Sequence, residues 1–229
     1  MAVTDVLIVC AGNACRSPAA QILLRDGVGD LPGVGSWCSV TSAGTEAEGG
    51  AEIDERTASA LRSIGADPDG FVTRRLDAAM VRHAGLILVA TRRHRSRVVR
   101  LDPSAIRRTF TLAEMARFAR ALGKEEDPAG GAVSWDRLAQ YALDHRGVIL
   151  PTYLDDDDIA DPRGRSRRVH RKTVAVIADA ISDLLEIVGP TPKAERSSDE
   201  GDDEATVVPF VPATSEQGEA SQAVVCASR

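Results

Sequence analysis

Aromatic residues are the scarcest large side chains in this sequence: two Trp, two Tyr and four Phe make up 3% of 229 residues, little material for a pocket walled by rings. Cysteine is sparse too. Cys10, Cys15, Cys38 and Cys226 are too few and too scattered for a disulfide scaffold or a four-ligand zinc site. No apolar stretch approaches the roughly 20 residues that span a bilayer, and the opening "MAVTDVLIVC" carries no basic segment of the kind that begins a secretory leader. An ordinary cytoplasmic enzyme with no membrane partner is the expectation. Positive charge is not in excess either: 28 basic against 34 acidic residues leave a net charge of −6. That excludes a general affinity for nucleic acid, which needs a basic face to release counterions. Lysine is nearly absent, with only Lys124, Lys172 and Lys193 among those 28.

What is present fits one globular domain and a tail. The hydrophobic fraction is 43%, enough for a good core at this length. Much of the acidity is local, because Pro190 to Arg229 holds eight acidic and three basic residues and shows almost no hydrophobic periodicity. Such a segment cannot offset its ordering entropy by burial, so 190–229 reads as a disordered acidic tail. Before it, short apolar runs alternate with amphipathic ones, the pattern of a parallel sheet covered by helices. Strands are predicted at 3–10, 37–45, 85–91 and 106–112. Helices are predicted at 18–27, 53–65, 92–101, 112–123, 134–147 and 167–189, with Gly65 and Gly123 as stops. The fold class is α/β: an open four-stranded parallel sheet flanked by helices on both faces, with a phosphate-binding loop after the first strand.

That loop is "CAGNACRSP", residues 10–18, at the carboxyl end of the first strand where open α/β sheets carry their chemistry. Gly12 permits backbone geometry denied to other residues, successive amides can form a nest for an anion, and the helix start after Ser17-Pro18 adds partial positive charge. Helix-end dipoles, inward amides and a nearby guanidinium also favour a thiolate, which makes Cys10 a candidate nucleophile. Arg16 offers a planar two-pronged donor for phosphate oxygens, Ser17 a hydrogen bond to the sulfur, and Asn13 a means of holding the loop in a strained shape.

The string C-x-G-N-x-C-R-S-P, carried by Cys10, Gly12, Asn13, Cys15, Arg16, Ser17 and Pro18, resembles the low-molecular-weight protein tyrosine phosphatases. The resemblance continues through "TSAGT" (41–45), "RRL" (74–76), "LILVAT" (86–91) and "DIADPRG" (158–164), and covers residues 3 to about 188. It implies that Cys10 forms a phosphocysteine, that Arg16 and the loop residues Ala11, Gly12, Asn13, Ala14, Cys15 and Ser17 hold the phosphate, and that Ser42 supports Asn13. It also implies a general acid on an Asp-Pro loop before the last helix. Asp67, Asp102, Asp127 and Asp161 all precede proline, and only Asp161 stands directly before that helix. Cys15 is either a partner for a reversible disulfide with Cys10, a role the family knows, or a packed small thiol.

The sequence departs from the family in two places. Arg163 and Gly164 follow Asp161-Pro162 where many members have aromatics, so phosphotyrosine, phosphoarginine and a small phosphomonoester all stay open as the phosphorylated substrate. Residues 113–154 exceed what the compact fold needs and read as a helical insertion within a catalytic domain 1–189. No cofactor or metal is expected, since His83, His94, His145 and His170 show no ligand spacing. The run Asp155–Asp158 reads as a solvated acidic loop facing the basic run 163–172. Arsenate reduction would need relay cysteines that are missing between Cys38 and Cys226, and a phosphate-binding regulatory module is the remaining alternative.

Overall fold

A computed structural model describes residues 4–30, 38–125 and 133–188. Four parallel strands, β1 (Thr4–Cys10), β2 (Cys38–Gly44), β3 (Leu86–Val89) and β4 (Thr109–Thr111), lie in the order β2-β1-β3-β4. The two central strands read as unbroken apolar runs because both of their faces are covered. Alternation divides them: Val6, Ile8, Leu86 and Leu88 enter the larger core on one face, while Leu7, Val9, Ile87 and Val89 enter a smaller one on the other.

The larger face is covered by α1 (Arg16–Gly29), α5 (Leu112–Glu125), α6 (Trp135–His145) and the long α7 (Arg167–Val188). The smaller face holds α3 (Ala78–His83) and α4 (Arg92–Leu101), with α2 (Glu55–Arg62) packed against α7 at the side. The predicted sheet and its two helical layers are therefore present. No helix among the described residues is long and apolar enough to cross a membrane.

Differences from the sequence expectation have local causes. Helix α3 has only six residues, too short for a periodic signal, and exists because Asp77 caps it by accepting from the Met80 amide at 2.8 Å. The fourth strand shrinks to three residues because Pro103 opens a 3-10 turn, Pro103–Arg108, capped by Asp102. Gly123 does not stop its helix, which runs to Glu125; it lets α5 approach α7, where a Cβ would come within 2.5 Å of Ile187 Cδ1. The segment 190–229, expected to be a disordered tail, lies outside the described residues.

The segment 113–154 holds most of α5 and all of α6, and it adds to the core. Met115, Phe118, Ala119, Leu122 and Leu138 are buried with α7 and the sheet. Glu114 fixes the start of α5 by accepting from the Thr111 amide at 3.1 Å and from Arg95 and Arg146 at 3.1 and 3.2 Å. A Phe118→Ala variant is expected to lose about 3–5 kcal/mol in urea unfolding, the cost of an aromatic-sized cavity. A change below about 0.5 kcal/mol would mean instead that α5 is an appendage.

Candidate active site

Parallel register brings Cys10 beside Gly44, so the turn leaving β1 is laid against the end of β2. Three loop carbonyls are then bonded from outside: Cys10 O accepts from Thr45 N at 2.9 Å, Ala11 O from Glu46 N at 2.8 Å, and Ala14 O from Asp54 N at 2.8 Å. Bonding these carbonyls from outside leaves the loop amides for an anion, the arrangement of a backbone nest. Helix α1 starts at Arg16 and adds its own unpaired first-turn amides.

Asn13 holds this shape. It is fully buried and sits at φ 53°, the left-handed region that asparagine tolerates better than most residues. Its Nδ2 donates to Ser17 Oγ at 2.9 Å and to Ser42 Oγ at 2.8 Å, and its Oδ1 accepts from the Arg74 amide at 2.7 Å. The side-chain amide thus has three partners, from α1, β2 and the segment after α2. Because Ser17 Oγ accepts from Asn13, its own hydrogen is free for Cys10 Sγ, 3.0 Å away.

Arg16 is 5% exposed. Its Nη2 donates to Asp161 Oδ2 at 2.6 Å and its Nη1 to Ile159 O at 3.0 Å, while its buried Nε has no partner among the described residues. A buried guanidinium with a vacant donor is built to receive another acceptor. Asp161 is half-exposed, so its second face is open to an incoming molecule.

The segment carrying Asp161 is strapped down along its length. Ile159 N donates to Ala90 O at 2.9 Å, Arg92 N to Asp158 Oδ1 at 2.8 Å, and Arg117 of α5 to Asp157 Oδ1 at 2.5 Å. This corrects the reading of Asp155–Asp158 as a solvated loop facing residues 163–172: Asp157 is buried, and the partners are Arg92 and Arg117. The other Asp-Pro pairs lie elsewhere. Asp67 accepts from the Asp69 amide, Asp102 caps a 3-10 turn, and Asp127 is outside the described residues.

Every candidate residue is thus assembled at one end of the sheet. Several participants were not among the candidate residues. Arg74 contributes only a backbone amide, and Ile159 only a carbonyl. Gly44 matters because a Cβ there would meet Ala11 O at 2.4 Å and Asn13 N at 2.8 Å. His94 lies buried near Arg16, its Nδ1 2.8 Å from Thr91 Oγ1, and burial and then Arg16 lower its pKa to about 4. Cys15 is a buried free thiol beside Thr57, and burial pushes it up to about 11. It is neutral at pH 7.

One set of possible metal donors exists among the described residues: Cys15, Asp54 and His170, within 4.8 Å of one another. These groups already serve the scaffold. His170 Nδ1 lies 2.9 Å from Thr57 Oγ1, and Asp54 Oδ1 caps α2 through the Arg56 and Thr57 amides.

A sequence profile described as low molecular weight phosphotyrosine protein phosphatase matches residues 5–140. The chain is 36% identical over 116 residues to a probable low molecular weight protein-tyrosine-phosphatase, EpsP, of Ralstonia solanacearum, spanning 51% of this chain and 75% of that one. It is 32% identical over 139 residues to a protein-arginine-phosphatase of Geobacillus stearothermophilus, spanning 61% and 88%. The crystal structure of the Erwinia amylovora tyrosine phosphatase AmsI superposes with a TM-score of 0.58 at 23% identity, covering 81% of this chain and 93% of that one, a likeness of fold.

Two outcomes follow from this geometry. Gly44→Ala must displace backbone of the loop, so it is expected to cost about 1–3 kcal/mol in unfolding and to remove most phosphate affinity by calorimetry; unchanged affinity would mean the loop does not depend on this contact. His94, held neutral when folded but titrating near its ordinary 6.5 when unfolded, contributes stability that is complete above pH 6.5 and lost as pH falls toward about 4. The urea midpoint of His94→Gln is therefore expected to fall less than that of the parent between pH 7 and 4, and equal slopes would contradict the burial of a neutral ring.

Proposed function

Because the chain belongs to the low molecular weight phosphotyrosine protein phosphatase family, we propose that it hydrolyses phosphotyrosine on proteins in the cytoplasm through a phosphocysteine formed on Cys10. The observation that carries this reading is the joint placement of Cys10 on Ser17 and of Arg16 on Asp161 around one loop. The phosphate of the substrate enters the amide nest and competes for the guanidinium of Arg16, whose vacant Nε is the first donor available to it. Two donors of a planar guanidinium can follow two oxygens as phosphorus becomes trigonal bipyramidal.

Cys10 sulfur then bonds to phosphorus while the bond to the leaving oxygen breaks. Asp161, released from Arg16 by the arriving dianion, takes a proton from solvent and gives it to that oxygen. In the second step Asp161 takes a proton from water as the water oxygen attacks phosphorus. Inorganic phosphate leaves, and the Cys10 thiolate is restored with Ser17 hydrogen-bonded to it.

Phosphoarginine is the second reading. It is favoured by the absence of Phe, Tyr and Trp from residues 154–172 and by the relative named protein-arginine-phosphatase. The two are separated by kcat/KM on a phosphotyrosyl and a phosphoarginyl peptide of one sequence, with the phosphotyrosyl peptide expected to be preferred and the reverse order assigning the second reading.

The mechanism itself is tested with para-nitrophenyl phosphate. Cys10→Ser is expected to abolish turnover. Asp161→Asn is expected to slow it by about 10²–10⁴-fold, the usual contribution of a positioned acid, and by more on phosphotyrosine, whose leaving group is more basic. An Asp161→Asn variant with unaltered rates would overturn the role of Asp161.

A further inference from the structure

Residues 162–172, "PRGRSRRVHRK", contain five arginines and a lysine and no acidic residue. None of these six side chains makes an ion pair among the described residues, although arginines elsewhere are paired with carboxylates, as Arg92 is with Asp158, Arg117 with Asp157 and Arg146 with Glu114. All six are exposed. Their location is unfavourable for stability. Arg167 and Arg168 open α7, and no acidic residue lies in its first turn. Cations at the positive end of a helix are unfavourable, so the folded chain maintains an uncompensated positive field at this point.

That field borders the candidate active site. The guanidinium of Arg163 lies across the phosphate loop, with Nη1 3.2 Å from where a Cβ on Gly12 would stand, and the Arg163 amide donates to Asp161 Oδ1 at 3.1 Å. Behind it, Arg56 of α2 donates to the Arg165 carbonyl at 3.1 Å, and Arg56, Arg167 and Arg171 line one shallow groove. The loop also borders acidic residues: Glu46, bonded through its amide to Ala11 O and 3.9 Å from Arg97 Nη2, is followed by Glu48 and Glu52. Positive charge at this site is therefore interrupted by carboxylates, unlike the continuous basic face that tracks a nucleic acid.

We propose that Arg163, with Arg56, Arg165 and Arg167 behind it, selects phosphoprotein segments that carry aspartate or glutamate next to the phosphorylated residue. The proposal rests on the phosphatase reading above and adds the chemistry of the flanking sequence. With its phosphate seated in the loop, a substrate chain leaving on the Arg163 side meets guanidinium groups and no ring. Recognition there is by charge, and planar guanidinium pairs well with carboxylate.

The test measures binding without turnover. Full-length Cys10→Ser is titrated with two labelled phosphotyrosyl peptides that differ only in flanking Asp/Glu against Asn/Gln, at low and at physiological salt. The acidic peptide is expected to bind about five- to tenfold tighter at low salt, with the advantage shrinking as salt screens exposed charges. Adding Arg163→Glu should bring the ratio to one or below. Equal affinities before that change, a ratio unaltered by it, or equal displacement of the peptide by a DNA duplex would each overturn the proposal. Hydrolysis of para-nitrophenyl phosphate by the parent enzyme separates the two readings: turnover with equal peptide affinities removes only the flanking preference, whereas no turnover and no binding of either peptide removes both.

Discussion

The side-chain amide of Asn13 is the constraint on which the rest of the site depends. A left-handed backbone at a buried non-glycine residue costs on the order of 1–3 kcal/mol, and it persists because three hydrogen bonds to Ser17, Ser42 and Arg74 hold it. Those bonds reach α1, β2 and the segment after α2, so the loop shape is a consequence of the sheet's assembly. The same network orients the Ser17 hydroxyl toward Cys10. Loop shape and nucleophile orientation are one arrangement, set before any anion arrives, which is how a protein stabilises charge without reorganising at the moment of reaction.

Arg16 joins the loop to the segment that carries Asp161. Its guanidinium ties Asp161 and Ile159 to the start of α1, and the segment bearing Asp161 is also held by Ala90, Arg92 and Arg117. The last of these belongs to α5. Helix α5 thus has a mechanical role, since it buries an apolar face against α7 and sends one arginine to the base of the segment bearing Asp161. Asp161 is braced from behind, and in the proposed mechanism only its tip is released, where the bond to Arg16 yields to phosphate.

Much of this was legible in the sequence, for reasons that can be named. Strands β1 and β3 were visible because burial on both faces leaves a continuous apolar run, and the loop because nucleophile, guanidinium and hydroxyl all lie within eight residues. Asp161 was separable from Asp67 and Asp102 by its position before α7. Contacts made by backbone were invisible: the Arg74 amide and the Ile159 carbonyl leave no trace in residue identity, and Gly44 shows its importance only when β2 is laid beside the loop. The acidic run was misread because Arg92 and Arg117, its partners, are distant in sequence and the nearer basic run was the obvious candidate. In the sequence His94 was marked only by its lack of metal-ligand spacing, and its burial near Arg16 shows only once α4 is packed against the site.

The most direct measurement is a crystal structure of the full chain with orthovanadate. The account predicts vanadium bonded to Cys10 Sγ inside the loop, Asn13 unmoved on Ser17 and Ser42, Arg16 turned onto two equatorial oxygens, and Asp161 freed from Arg16 and facing the apical oxygen. Vanadate bound elsewhere, or held in the loop while Arg16 Nη2 stays on Asp161, would contradict it.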